Sequence, residues 1–255
     1  MRSKYVLLKH SLSCFVVTIF IVSSTHSFAQ SLAIDHVVAV VSNMDSAIYE
    51  YTEKGFTIKK GQLHQNGLLN AHIKFKNGSY FELMTVKGVP ADKMAKAYSA
   101  LLAQGEGGVF LALSGINIAA IEDRLAKAEM PFETTKGQSW DYLTFPKKSI
   151  LAHFFFIEYH AKEIETNANF YHSNKSAKIK AVWLEGDDKV IEMLLAIGLL
   201  SSGKISDLKL GEGERFFTPT GEIIIKPKES TNERPRIKSI SFGNYDNTET
   251  VKISF

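Results

Sequence analysis

Two stretches of this chain, residues 34–86 and 109–159, run through the same order of elements, and that repetition limits the fold more than anything else in the sequence. The first opens with Ile34-Asp35-His36-Val37-Val38-Ala39-Val40-Val41, a β-branched and small apolar run that reads as a buried strand. Asn43 or Asp45 then caps a helix in which Met44, Ala47, Ile48 and Tyr51 recur at helical spacing, and Gly55 closes it. Strands are predicted at 56–58, at 69–75 and, beyond the Asn77-Gly78 hairpin turn, at 79–86. A helix over 91–102 and a glycine-rich connection, Gly105 to Gly108, lead to the second pass. It comprises a strand at 109–113, an Asn117-capped helix through Ala128 with Ile118, Ile121 and Leu125 on one face, and strands at 131–135, 140–145 and 151–159. Each β, α, β, β, β unit presents one sheet face that needs a partner, so residues 30–170 are expected to form one domain of two such modules.

Residues 171–255 repeat the pattern more weakly, with a strand at 178–184, a helix at 187–198, and strands at 205–210, 222–226, 236–242 and 250–255. They are expected to form a degenerate third βαβ-type module with C-terminal strands, interrupted by a linker-like segment at 228–235.

The first 29 residues stand apart from this pattern. Arg2, Lys4 and Lys9 precede an apolar run from Cys14 to Val22, and Ser27-Phe28-Ala29 is a small-x-small cleavage site. Residues 1–29 therefore read as a secretory signal peptide cut after Ala29, which places the mature protein in the periplasm or outside the cell. The apolar run is too short for a span of roughly 20 residues, so no membrane attachment is expected after cleavage. Of 30 basic and 27 acidic residues, three basic ones and no acidic one leave with the signal, so the mature chain balances at 27 of each. That balance gives no support for a nucleic-acid partner. The single cysteine, Cys14, leaves too, so neither disulfides nor thiol chemistry are expected.

Ile-Asp-His-Val-Val at 34–38, Lys54-Gly55-Phe56, Asn70-Ala71 and Asn77-Gly78-Ser79-Tyr80-Phe81-Glu82-Leu83 together resemble the glyoxalase-like group of the vicinal oxygen chelate superfamily. The resemblance covers roughly residues 33–200. His172-Ser173-Asn174 is similar to a His-Pro-Asn turn at the corresponding junction, with Ser173 in place of the proline. It implies an α+β fold in which paired βαβββ modules make an open, barrel-like mixed sheet with outer helices, enclosing a cup.

The resemblance also implies a site. Superfamily cups hold one divalent metal on His or Glu side chains from the first and last strand of each module, where it acts as a Lewis acid on vicinal oxygens. Carried onto this chain, the metal positions are His36, Glu82 and Glu158, a donor set suited to Zn, Mn, Fe or Ni. The first strand of the second module offers no ligand, and Leu69 stands where the family often has His or Glu. Glu82 and Glu158 are the catalytic candidates, either as ligands or as a general base. Asn70, His72, Trp140 and His160 are the substrate-binding candidates. Gly105 to Gly108 precede no helix terminus arranged for phosphate, so no nucleotide cofactor is expected. No nucleophile-elbow pattern frames a serine, which leaves a hydrolase triad without support.

Three functions stay open. One is a metal-assisted lyase, isomerase or dioxygenase acting on a small oxygenated molecule. Another is a metal-free protein that sequesters a small molecule in the same cup. The third is an interaction module using the tail strands as an edge. A homodimer is compatible with each.

Overall fold

The computed structural model describes residues 31–161, 167–227 and 237–255. The proposed signal peptide and the 228–235 linker lie outside the described residues. Among those described, no helix is long and apolar enough to cross a membrane.

The first module is β1 (Ala33–Val40), α1 (Met44–Glu53), β2 (Lys59–Leu63), β3 (Leu68–Lys74) and β4 (Tyr80–Val86). Asn43 is the N-cap, its side chain accepting from the Ser46 N–H at 2.9 Å, and α1 buries Met44, Ala47 and Tyr51. Residues 56–58, expected as a strand, are loop. Phe56 is instead a core plug, its ring 4.9 Å from Phe242 and 5.6 Å from His172, and pairing starts only at Lys59. Strand order is β2-β3-β4-β1, with β1 and β4 parallel.

The second module is β5 (Gly107–Ser114), α3 (Ile118–Lys127), β6 (Glu133–Lys136), β7 (Trp140–Thr144) and β8 (Phe154–Tyr159), with β5 and β8 parallel. Residues 150–153 form a 3₁₀ turn, capped by Ser149, that shortens the predicted last strand. β1 lies antiparallel against β5, which joins the two modules into one sheet. Between them α2 (Lys93–Leu102) packs Ala95 and Leu101 on Val38, Val40 and Met84, on the face of the sheet opposite α1.

The third module is fuller than the sequence pattern indicates. β9 (Lys178–Gly186), α4 (Asp188–Ala196), β10 (Ser201–Asp207), β11 (Gly211–Thr218) and β12 (Gly221–Pro227) again run β, α, β, β, β, with β9 and β12 parallel. The sequence pattern does not reveal β11, because Gly211-Glu212-Gly213-Glu214-Arg215 shows no apolar alternation before Phe216. β13 (Ile237–Gly243) lies antiparallel against β9, as β5 does against β1, and β14 (Glu249–Ser254) returns as a hairpin.

The face of the sheet opposite α2 builds a single core. Ile34, Val37, Phe81 and Leu83 meet the buried faces of α1, α3 and α4 and Phe242 of β13. The segment after the second module is tied to the first. His172 Nδ1 accepts from the Thr57 N–H at 3.0 Å, and Asn174 Nδ2 donates to the Lys54 carbonyl at 2.8 Å.

Candidate active site

The site begins with an irregularity in β1. Ile34 pairs with Leu113 and His36 with Ala112, so Asp35 is an extra residue in the ladder, a β-bulge. Ile34, Val37 and Ala39 keep to the core face, while Val38 and Val40 face α2. The bulge puts the neighbours Asp35 and His36 on one side, and Asp35 Oδ1 lies 2.6 Å from His36 Nδ1. An ionised carboxylate only accepts, so this bond places the proton on Nδ1 and turns the other nitrogen, Nε2, toward the cup.

Alternation along β3 and β4 supplies the rest. Glu82 faces the cup with Tyr80 and Met84, while Phe81 and Leu83 enter the core. Directly opposite, His72 pairs with Glu82, and Asn70 lies two residues along the same face. Glu82 Oε1 accepts from Asn70 Nδ2 at 3.0 Å and lies 3.3 Å from His72 Nε2. Its other oxygen, Oε2, lies 3.8 Å from His36 Nε2, too long for a direct hydrogen bond. His36 and Glu82 are both buried.

Electrostatics keep Glu82 ionised. Burial pushes its carboxyl up, but the hydrogen bond from His72, the nearby His36 and His72 imidazoles, and the Asn70 amide together outweigh this and hold it below the usual range. The surrounding phenols move the other way. Burial first, then the Glu82 and Asp35 carboxylates, push Tyr142 up to about 12. Burial and neighbouring acid groups also raise Tyr80, Tyr98 and Tyr159. All four are hydrogen-bond donors at neutral pH.

Aromatic rings wall the cluster. Tyr80 stacks on His36 at 4.3 Å, and Phe155 meets His36 edge-on at 5.4 Å. Phe110 and Tyr142 continue from Phe155, and Tyr98 of α2 packs on Phe110 at 5.6 Å. Trp140, edge-on to Tyr142, and Tyr159 form the rim, each 40% exposed. A cavity of about 420 Å³ lies away from this cup, beside α4 and the β10–β11 hairpin. Its lining includes Asp187, Asp188, Glu212 and Lys204 but no imidazole, so the converging polar groups make the cup the candidate site.

The structure thus brings together His36, Glu82, Asn70 and His72, with Trp140 at the rim. Leu69 points into the core, so the polar position on β3 falls to its neighbours Asn70 and His72. Glu158 does not reach the cup. Phe155 and Tyr159 take the inward positions of β8, and Glu158 Oε2 turns outward to accept from the Ile118 N–H at the start of α3, at 2.8 Å. His160 is also outside: Nδ1 meets the Gln138 carbonyl at 3.0 Å, and Nε2 lies 3.1 Å from Asp141, which pairs with Glu158 in the ladder.

The metal site implied by the resemblance is therefore not assembled. With Glu158 turned away and β5 offering only Phe110, Leu111 and Ala112 near His36, all remaining donors come from the first module. Among the described residues, no group of three or more His, Cys, Asp or Glu is arranged to hold a metal ion. Sequence reasoning missed Asp35 and Tyr159. An acid directly before the strand histidine was a visible signal for the first. For the second, Phe154-Phe155-Phe156 made the two faces of β8 indistinguishable.

Paired βαβββ modules around a polar cup define the vicinal oxygen chelate class. Within it, the glyoxalase-like domain family model matches residues 34–194, and the chain belongs to that family. No curated protein matches the sequence. Among solved structures, a hypothetical protein from Staphylococcus aureus is 15% identical with a TM-score of 0.56, over 78% of this chain and 86% of that one. A xylose isomerase-like TIM barrel/4-hydroxyphenylpyruvate dioxygenase fusion protein is 9% identical with a TM-score of 0.57, over 84% of this chain and 37% of that one. Methylmalonyl-CoA epimerase from Mycobacterium tuberculosis is 20% identical with a TM-score of 0.40, over 50% of this chain and 88% of that one. The first two share the fold.

Proposed function

We propose that the cup is the active site of an isomerase- or lyase-type enzyme that moves a proton on a small oxygenated molecule. The observation that carries this is the facing pair, His36 Nε2 and Glu82 Oε2, 3.8 Å apart, each with its other polar atom already held. A group whose second atom is committed presents its free atom in a fixed direction, as general base catalysis requires.

In this reading a substrate C–H bond beside a carbonyl or carboxylate breaks. The proton passes to His36 Nε2, and the electron pair moves onto the substrate oxygen as an enolate. Asp35 stabilises the imidazolium that forms. Tyr142 and Tyr98, whose phenols stay protonated, donate to the oxygen as its charge grows. Return of the proton to carbon completes an isomerisation, and departure of a β-substituent completes an elimination. Glu82, ionised and 3.8 Å across the cup, is the alternative proton acceptor. The aromatic walls suit a substrate with a flat, apolar portion beside its oxygens. No step is assigned to a metal, because the donors do not converge as a metal site. The same reading places the enzyme in the periplasm or outside the cell, supported by the basic, apolar and small-residue sequence of residues 1–29.

The test is solvent exchange. Lactate, hydroxyacetone, mandelate and phenylpyruvate are incubated with the protein in D₂O, and loss of the α-proton signal is followed by NMR. Exchange above background is expected with at least one, falling at least about 100-fold in His36→Ala and in Glu82→Gln. No exchange with any of the four overturns the proton-transfer reading. Saturable binding in that case assigns the cup to sequestration.

A further inference from the structure

The acid–base pair lies wholly in the first module, yet one polar contact reaches it from the second. Tyr159, at the end of β8, donates its hydroxyl hydrogen to Asp35 Oδ1 at 3.1 Å. That is the oxygen that meets His36 Nδ1 at 2.6 Å. The Tyr80 hydroxyl, on β4, lies 3.4 Å from that of Tyr159. The three groups around Asp35 thus come from three strands, and the tyrosine crosses the boundary between modules.

We propose that Tyr159 is a positioning residue for the reaction: its hydroxyl fixes the Asp35 carboxylate, which in turn fixes His36 with Nε2 toward the substrate. The inference rests on the proton-transfer reading of the cup. Asp35 sits in a bulge, where the ladder does not define its backbone direction as firmly as in regular pairing. A carboxylate there needs a second donor to keep one oxygen on the imidazole. Tyr159 supplies it from a strand whose own position is set by pairing with β7 and β5. The second module therefore contributes more than a wall, and the first module alone would hold an incomplete site. The ring of Tyr159 does not do this work. The hydroxyl does, which makes Tyr159→Phe the informative variant and Tyr159→Ala its coarse companion.

The experiment uses the full mature chain and two readouts. The first needs no substrate: the low-field proton NMR resonance of His36 Nδ1–H, assigned by its loss in Asp35→Asn. In Tyr159→Phe this resonance is expected to move upfield or broaden, because Asp35 Oδ1 is no longer held against the imidazole. The second is α-proton exchange, for which kcat is expected to fall about tenfold in Tyr159→Phe with KM unchanged. A resonance that stays in place in Tyr159→Phe overturns the proposal, as does a kcat that falls only in Tyr159→Ala, since the ring alone would then matter. If the resonance moves but the unmodified protein exchanges no substrate, the proton-transfer reading fails while the contact between modules stands.

Discussion

The imidazole of His172 clamps the backbone of the first module, accepting from the Thr57 N–H through Nδ1 at 3.0 Å while its Nε2 meets the Lys74 carbonyl at 3.0 Å. Both bonds are made by one neutral tautomer: Nδ1 bare, Nε2 carrying hydrogen. Burial lowers the His172 pKa below 6.5, opposed in part by the carbonyl. The unfolded chain therefore binds a proton first as pH falls. The clamp's contribution is full above about pH 6.5 and is lost as pH drops from there through the folded value. Urea unfolding across about pH 5–8 is expected to show this slope in the native protein and a flatter one in His172→Gln. In His172→Ala, the two backbone groups lose their partner, with an expected loss of about 1–3 kcal/mol.

Glu158 separates stability from chemistry. It accepts from the Ile118 N–H at the first turn of α3, where a negative charge also favours the helix dipole. Glu158→Ala is expected to lower stability by about 1 kcal/mol and to leave α-proton exchange unchanged. Loss of exchange with an intact fold, seen by circular dichroism, would restore Glu158 to the site.

Gly55 is a position where a side chain has no room. Its φ of +84° is left-handed, and an added Cβ would lie 2.8 Å from Ser173 Oγ and 2.9 Å from Asn174 Cβ. Gly55→Ala combines backbone strain with displacement of the 172–174 turn, and is expected to lose more than about 1 kcal/mol. A thermal midpoint equal to the parent's would show that the turn yields without penalty.

Metal content is a direct check on the donor geometry. Protein loaded with Zn, Mn, Fe or Ni and then desalted is expected to retain less than one metal per chain, with exchange unaffected by chelator. A stoichiometric metal that disappears in His36→Ala would mean that His36, His72 and Glu82 rearrange around it.

Export has its own measurement. The mass of protein recovered from the periplasm or medium is expected to correspond to a chain beginning at Gln30. A full-length mass in the cytoplasm would contradict the reading of residues 1–29.

Much of the fold was legible because its strongest cues are local. The Asn77-Gly78 turn, the Asn43 and Asn117 caps and the apolar runs of β1, β4 and β5 all stand where the sequence places them. The site was half legible. His36 and Glu82 lie on the predicted strand faces, and plain alternation brings Asn70 and His72 beside them. Alternation failed at two places. In β1 an extra residue broke the count, and in β8 three consecutive phenylalanines erased the difference between inside and outside. The inward place that the sequence pattern gives to Glu158 belongs to Tyr159, one residue away. The third module's β11 was missed for a related reason, since glycines and acids form a strand there only because β10 and β12 flank it.

The kink in β1 makes adjacency serve where alternation would not. In a regular ladder, successive side chains leave from opposite surfaces, and an aspartate beside a histidine would be held apart by the thickness of the sheet. One surplus residue brings them into reach of each other. Deleting Ile34 would return the strand to regular pairing, point the acid into hydrocarbon and silence the imidazole, while most of the architecture remained standing.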